Sequence, residues 1–231
     1  MITRIVGFGD SWIHGDGVSD TSPDKKSRQL YREQNCLIGQ LAQCLEIPYD
    51  SDTVKNFGTS GGSLQSTLWD FALWNQQNPT YENTLVVVGL TESWRESWWH
   101  CDQITDNSLQ PNYIHNHNGH GNQGPGWEQF KKFHLINANC TQQWRMKYYL
   151  TTEYFGNWAK ANSVNLLMFN VFPAPIESPH VIESNWNARG ELARLEHTVG
   201  DVTAPCKHPN EKGYHLLAKH LHKMLQSNII T

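Results

Sequence analysis

The run Thr84–Leu90 (TLVVVGL) restricts this chain more than any other feature. It has the length of a strand, and it offers apolar or glycine positions on both sides of the pleat. A strand of that kind must be covered on both faces. Residues 2–8 (ITRIVGF) and 165–172 (NLLMFNVF) have the same character, with Pro173 and Pro175 breaking the last, and 53–57 is a shorter strand. Helical spacing fills the intervals. Cys36, Leu37, Leu41, Cys44 and Leu45 predict a helix over about 30–46. Leu64, Leu68, Phe71, Ala72 and Trp74 predict another, closed by Pro79. Trp144, Tyr148, Leu150, Tyr154, Phe155 and Trp158 mark 141–161, a short helix is expected near 188–195, and Leu216, Leu217, His220, Leu221 and Leu225 mark 210–226. Apolar strands alternating with such helices predict parallel βαβ units with right-handed crossovers, hence a three-layer α/β/α sandwich. No repeat or linker divides the 231 residues, so one domain is expected.

Composition narrows the function classes. With 10 Trp, 8 Tyr and 8 Phe, the chain carries far more buryable surface than a disordered one. Eighteen Lys plus Arg against 22 Asp plus Glu leave a net charge of −4 and no basic block, which excludes the usual footprint of a nucleic-acid binder. Apolar runs fall far short of the ~18 residues a membrane span needs. The five cysteines are scattered without a CxxC pair, which suits free thiols in a reducing compartment. Met1 leads straight into the first strand with no signal-peptide pattern, so a cytoplasmic location is expected, with release by lysis left open.

In a parallel sheet, ligands sit beyond the C-terminal strand ends. The first three strands end in Gly9-Asp10-Ser11, in Gly58-Thr59-Ser60-Gly61-Gly62-Ser63 and in Gly89-Leu90-Thr91-Glu92. Glycines around Ser11 permit a tight turn that exposes its side chain; an ordinary helix N-cap serine is the plainer reading. Near the C-terminus stands His208-Pro209-Asn210, followed by an apolar helix. Pro209 at the first helical position leaves His208 on the preceding loop, within reach of the strand ends as a base toward Ser11.

Gly-Asp-Ser at the end of the first strand, with His-Pro-Asn opening the last helix, resembles the SGNH (GDSL) hydrolase family. Four spaced blocks carry the resemblance: Gly9-Asp10-Ser11 with Gly15; Asn56 with Gly61 and Ser63; Gly89-Leu90-Thr91-Glu92; and His208-Pro209-Asn210. The third block, with its Gly-x-Thr, resembles that of phage- and bacterium-encoded members. The resemblance implies a flavodoxin-like sheet of five parallel strands and ester hydrolysis. It makes Ser11 the nucleophile and His208 the base. It gives the oxyanion the backbone N–H groups of Ser11 and Gly61, with Thr91 where the family usually has an asparagine donor. Gly61 read by itself is a strand-to-helix turn glycine, and Thr91 serves equally well as the N-cap of a helix over 93–98. The family's acid stands three residues before the histidine, where this chain has Pro205. Asp201, seven residues upstream, is the candidate for completing a triad; otherwise the site is a Ser–His dyad. Cys206 is an alternative thiol nucleophile, and Ser11 fits the strand-end position better.

The stretch from about 100 to 139 is polar and rich in His and Gly, which reads as a large insertion shaping substrate choice. His100, Cys101, His115, His117 and His120 raise a zinc reading, but their spacing fits no named site, and neither metal nor organic cofactor is expected. His14 and Asp16 read as pocket-lining or turn-capping residues. Arg95 is suited to an acidic substrate group or to a pair with Glu92 or Glu96. Trp69 and Trp74 read as core, while Trp94, Trp98, Trp99 and Trp127 suit either sugar platforms or packing. The expected function is a serine ester hydrolase removing a short acyl group from a carbohydrate-like or other polar ester. A lipid- or thioester-directed esterase, and a non-catalytic binding or structural module on the same fold, are the alternatives. A small-molecule or glycan ester is the expected partner, with no nucleic acid and no membrane span.

Overall fold

A computed structural model describes residues 1–19, 24–95, 97–99, 113–115 and 141–228. Four parallel strands form the main sheet: β1 (Arg4–Gly9), β2 (Val54–Gly58), β3 (Thr84–Leu90) and β6 (Asn165–Asn170), in the order β2-β1-β3-β6. A separate antiparallel pair joins β4 (Ser97–Trp99) to β5 (Tyr113–His115). The helices are α1 (Ser11–His14), α2 (Lys25–Asn35), α3 (Leu37–Cys44), α4 (Leu64–Gln77), α5 (Thr141–Asn162), α6 (Ala188–Thr198) and α7 (Glu211–Asn228).

The period of two along each strand divides the apolar runs between two cores. Ile5, Leu85, Val87, Leu167 and Phe169 face one side, where Ile38 and Leu41 of α3 and Tyr214, Leu217 and Leu221 of α7 cover them. Val6, Phe8, Val86, Val88, Leu90 and Met168 face the other, against Phe71 and Trp74 of α4 and Tyr148 and Phe155 of α5. Every residue of β3 is buried. This is the expected three-layer α/β/α sandwich.

Three local expectations need correction. The main sheet has four strands among the described residues, where the family resemblance implied five. After β6 the chain carries Pro173, Pro175 and Pro179, which lack the N–H a ladder requires. Thr203 then makes only an isolated bridge with Pro209. The helix expected over 30–46 is two helices broken at Cys36, whose ψ of 175° is extended. Gly39 permits the break, because a Cβ there would stand 2.3 Å from the Glu33 carbonyl oxygen. The described residues of 93–98 form no helix: 93–95 are turn or irregular and 97–99 are strand.

The insertion over 100–139 lies outside the described residues apart from the backbone of β5. So do His100, Cys101, His117, His120 and Trp127, on which the zinc reading and one platform reading depended. No cluster of three metal-ligating side chains occurs among the described residues. No described helix is long and apolar enough to cross a membrane.

Candidate active site

β1 ends in a backbone conformation that only glycine accommodates here. Gly9 has φ of 153°, and a Cβ on it would lie 2.8 Å from the Gly89 carbonyl oxygen. Asp10 then caps α1, its Oδ1 accepting the Trp12 N–H at 3.0 Å. Gly15, left-handed at φ 94°, closes the turn by returning its N–H to the Ser11 carbonyl at 3.1 Å. Ser11 is therefore held on a single helical turn directly beyond the sheet, 4% exposed.

His208 arrives from 197 residues away. A turn in which Ala204 donates to the His208 carbonyl at 2.8 Å, with Lys207 at φ 67°, positions it ahead of α7. Gly17 (φ 100°) lets the segment after α1 press against this turn, since a Cβ there would stand 2.4 Å from the Pro209 oxygen. The outcome is a contact of 2.9 Å between His208 Nε2 and Ser11 Oγ. The Trp12 ring lies against the imidazole, centroids 6.3 Å apart, and meets Phe172 edge-on at 6.0 Å.

The other nitrogen, His208 Nδ1, is buried with no hydrogen-bond partner among the described residues. Asp201 does not reach it. Asp201 is exposed at φ 50°, and its backbone carbonyl accepts from the Asn210 amide at 3.1 Å. Among the described residues the geometry is that of a Ser–His pair without a bonded acid. Cys206 is exposed, and it is Ser11 that His208 contacts.

Thr91 occupies neither position expected for it. It is buried, and its hydroxyl donates to Asp10 Oδ2 at 2.7 Å. A hydroxyl has one hydrogen, so this bond withdraws Thr91 from an oxyanion. Arg95 is also directed inward, 3.3 Å from Asp10 Oδ2 and ion-paired with Glu92. The acidic-substrate reading of Arg95 gives way to this pair, and Glu96 lies outside the described residues. Burial drives the Asp10 carboxyl above its usual range, while the Arg95 charge and the bonds from Thr91 and Trp12 pull it back.

Gly61 lies at φ 72° in the turn between β2 and α4, where the Gly62 N–H donates to the Thr59 carbonyl at 2.8 Å. The turn feeds α4 through a capping box between Ser63 and Ser66. Asn56 binds β2 to the Ser11 turn, donating to the Ile13 carbonyl at 2.7 Å and accepting from the Gly58 N–H at 2.8 Å. Gly58 runs so close to α1 that a Cβ would stand 2.3 Å from the His14 nitrogen.

Two carboxylates stand around this turn: Asp16, expected to line the pocket or cap the turn, and Asp70, which the sequence did not single out. Asp16 Oδ1 lies 2.6 Å from His14 Nδ1, and Asp16 Oδ2 accepts the Ser60 hydroxyl at 2.5 Å. Burial raises the Asp16 carboxyl, but the bonds from His14 and Ser60 outweigh it, leaving the group below its usual value. Asp70 on α4 accepts from the Thr59 hydroxyl at 3.3 Å and is pushed up to about 6, chiefly by burial. A carboxyl raised in the folded state contributes most below its unfolded value near 3.8, and that contribution is lost as pH rises through about 6. Asp70→Asn keeps an acceptor for Thr59. It is expected to raise Tm at pH 7–8 and to leave it nearly unchanged at pH 4. An equal shift at both pH values would show that Asp70 carries no such proton linkage.

No protein-family model matches this chain, and no curated protein matches it. Among solved structures, the chain is similar to a member of the lipolytic protein G-D-S-L family from Veillonella parvula DSM 2008. That likeness has 11% identity and a TM-score of 0.43, covering 94% of each chain.

Proposed function

We propose that the protein is a serine ester hydrolase working through a Ser11–His208 dyad. The observation that carries this reading is the 2.9 Å contact between His208 Nε2 and Ser11 Oγ at the C-terminal edge of a parallel sheet. Those two groups converge from opposite ends of the chain onto one turn. His208 takes the Ser11 proton as Oγ attacks the ester carbonyl, then delivers it to the leaving alcohol. Water, activated by the same nitrogen, releases the acyl group in the second half-reaction. The negative charge on the carbonyl oxygen falls to backbone N–H groups. The Ser11 N–H heads α1 and has no intrahelical acceptor. The Gly61 N–H lies on the adjoining turn, where a missing side chain lets the substrate approach. Each such donor is worth ~3–4 kcal/mol in the transition state.

The substrate is read as a short acyl ester of a carbohydrate-like or other polar alcohol. Support comes from the polar groups around the nucleophile, namely Ser60, His14 and Asp16, and from the half-exposed Trp94 beyond β3. A fluorophosphonate probe should form one adduct, on the peptide that contains Ser11, and block hydrolysis of p-nitrophenyl acetate in step. An unlabelled Ser11 in folded protein overturns the assignment. Chelation by EDTA is expected to leave the rate unchanged.

A further inference from the structure

Among the described residues no carboxylate meets His208 Nδ1, yet one, Asp16, stands beside the nucleophile turn, bonded to His14 and Ser60. We propose that Asp16 is a positioning residue that fastens the Gly61 turn to the turn carrying Ser11 and both to the His208 segment. The proposal rests on the Ser–His reading above.

Three contacts support it. Asp16 follows the Gly15 cap of α1, and its N–H returns to the Ser11 carbonyl at 3.0 Å, so its backbone is part of the nucleophile turn. Its Oδ2 accepts the Ser60 hydroxyl at 2.5 Å, and Ser60 is the residue before Gly61. Its carbonyl accepts the hydroxyl of the buried Tyr214, on α7, at 2.9 Å. The next residue, Gly17, is the one that packs against His208 and Pro209. Asp16 thus touches the Ser11 turn, the Ser60–Gly61 turn and the helix that follows His208, and its neighbour Gly17 packs on His208 itself. The remaining oxygen, Oδ1, is taken by His14, which lies one turn after Ser11. The two side chains and the backbone thereby hold the carboxylate in one orientation.

The tie matters because of what Gly61 must do. Its backbone N–H helps the reaction only if it meets the oxygen in the transition state within hydrogen-bond distance, and a misplacement of ~1 Å can cost ~10²-fold. Gly61 and Gly62 offer little stiffness of their own. The Thr59–Asp70 bond holds one side of the turn at 3.3 Å, and the shorter Ser60–Asp16 bond holds the side facing Ser11. Loss of the second is therefore expected to impair turnover more than substrate binding.

The experiment compares Asp16→Ala, Asp16→Asn and Ser60→Ala in p-nitrophenyl acetate hydrolysis, with melting curves as the check on folding. Asp16→Ala and Ser60→Ala should each lower kcat by ~10-fold or more while KM stays within about threefold. The double variant should be no slower than Asp16→Ala alone, because both changes cut the same bond. Asp16→Asn retains an oxygen that accepts from Ser60 and should recover most of the rate. A wild-type kcat in folded Asp16→Ala overturns the proposal, as does a loss confined to KM. So does a slow Asp16→Asn beside a Ser60→Ala of normal rate, which would assign the effect to charge and not to the tie. If Asp16→Ala fails to fold, Ser60→Ala decides alone, since removing an exposed hydroxyl opens no cavity. Failure of the dyad itself is recognised separately, by Ser11→Ala retaining activity.

Discussion

Ser11→Ala is expected to lower the hydrolysis of a short acyl ester by at least ~10³-fold, and His208→Ala by a comparable factor. Neither change should unfold the protein. Ser11 loses one oxygen from a turn that is closed by its backbone and by the Asp10 cap, and those bonds survive in alanine. His208 is half-buried on a turn whose bonds are made by the backbone of Ala204 and Lys207. The two losses should not add. With Oγ absent there is no proton for Nε2 to take, so the double variant should match the slower single one. Near-normal turnover in either single variant, with an unchanged melting curve, would require the catalytic reading to be withdrawn.

The second large effect is on stability. Asp10→Ala should cost ~3–5 kcal/mol, read as a drop in the urea midpoint at constant slope. Asp10 has no exposed surface and collects three donors, the Trp12 N–H, the Thr91 hydroxyl and the Arg95 guanidinium. Alanine removes the cap of α1 and leaves both a buried hydroxyl and part of a buried cation without their acceptor. Asp10→Asn should cost less, because an amide oxygen still accepts from Trp12 and Thr91. A midpoint for Asp10→Ala within ~1 kcal/mol of wild type would show that water or Glu92 replaces the carboxylate fully. Thr91→Val tests the same bond from its other end. Removal of a donor to a buried carboxylate should cost ~1–3 kcal/mol with little change in rate. A rate loss of ~10²-fold at intact stability would instead return Thr91 to the oxyanion.

Much of this protein is readable from local pattern. Strand-length apolar runs, helical spacing and small residues at strand ends are properties of neighbouring positions, and secondary structure responds mainly to neighbours. So the sandwich, its two cores and the placing of Ser11 and Gly61 on strand-end turns follow from short windows of sequence. The motif pair Gly-Asp-Ser and His-Pro-Asn pointed to Ser11 and His208 as partners, although 197 residues separate them.

Hydrogen bonds between distant side chains are a different matter. No periodicity tells Thr91 that its one proton goes to Asp10, 81 residues earlier, and neither to a substrate nor to a helix end. Asp16 and Ser60 are 44 residues apart, and each by itself reads as an ordinary turn residue. Asp201 looked available for His208 because only the count of intervening residues was visible. The left-handed backbone at Asp201 and Lys207 turns that segment so that the carboxylate faces solvent. The sequence by itself determined the layers and the strand ends, since these depend on local spacing and burial, while the proposed pairing of Ser11 with His208 came from the resemblance of their motifs. Only the tertiary structure decided which buried polar group satisfies which, because each donor takes the acceptor that the packed fold brings within about 3 Å.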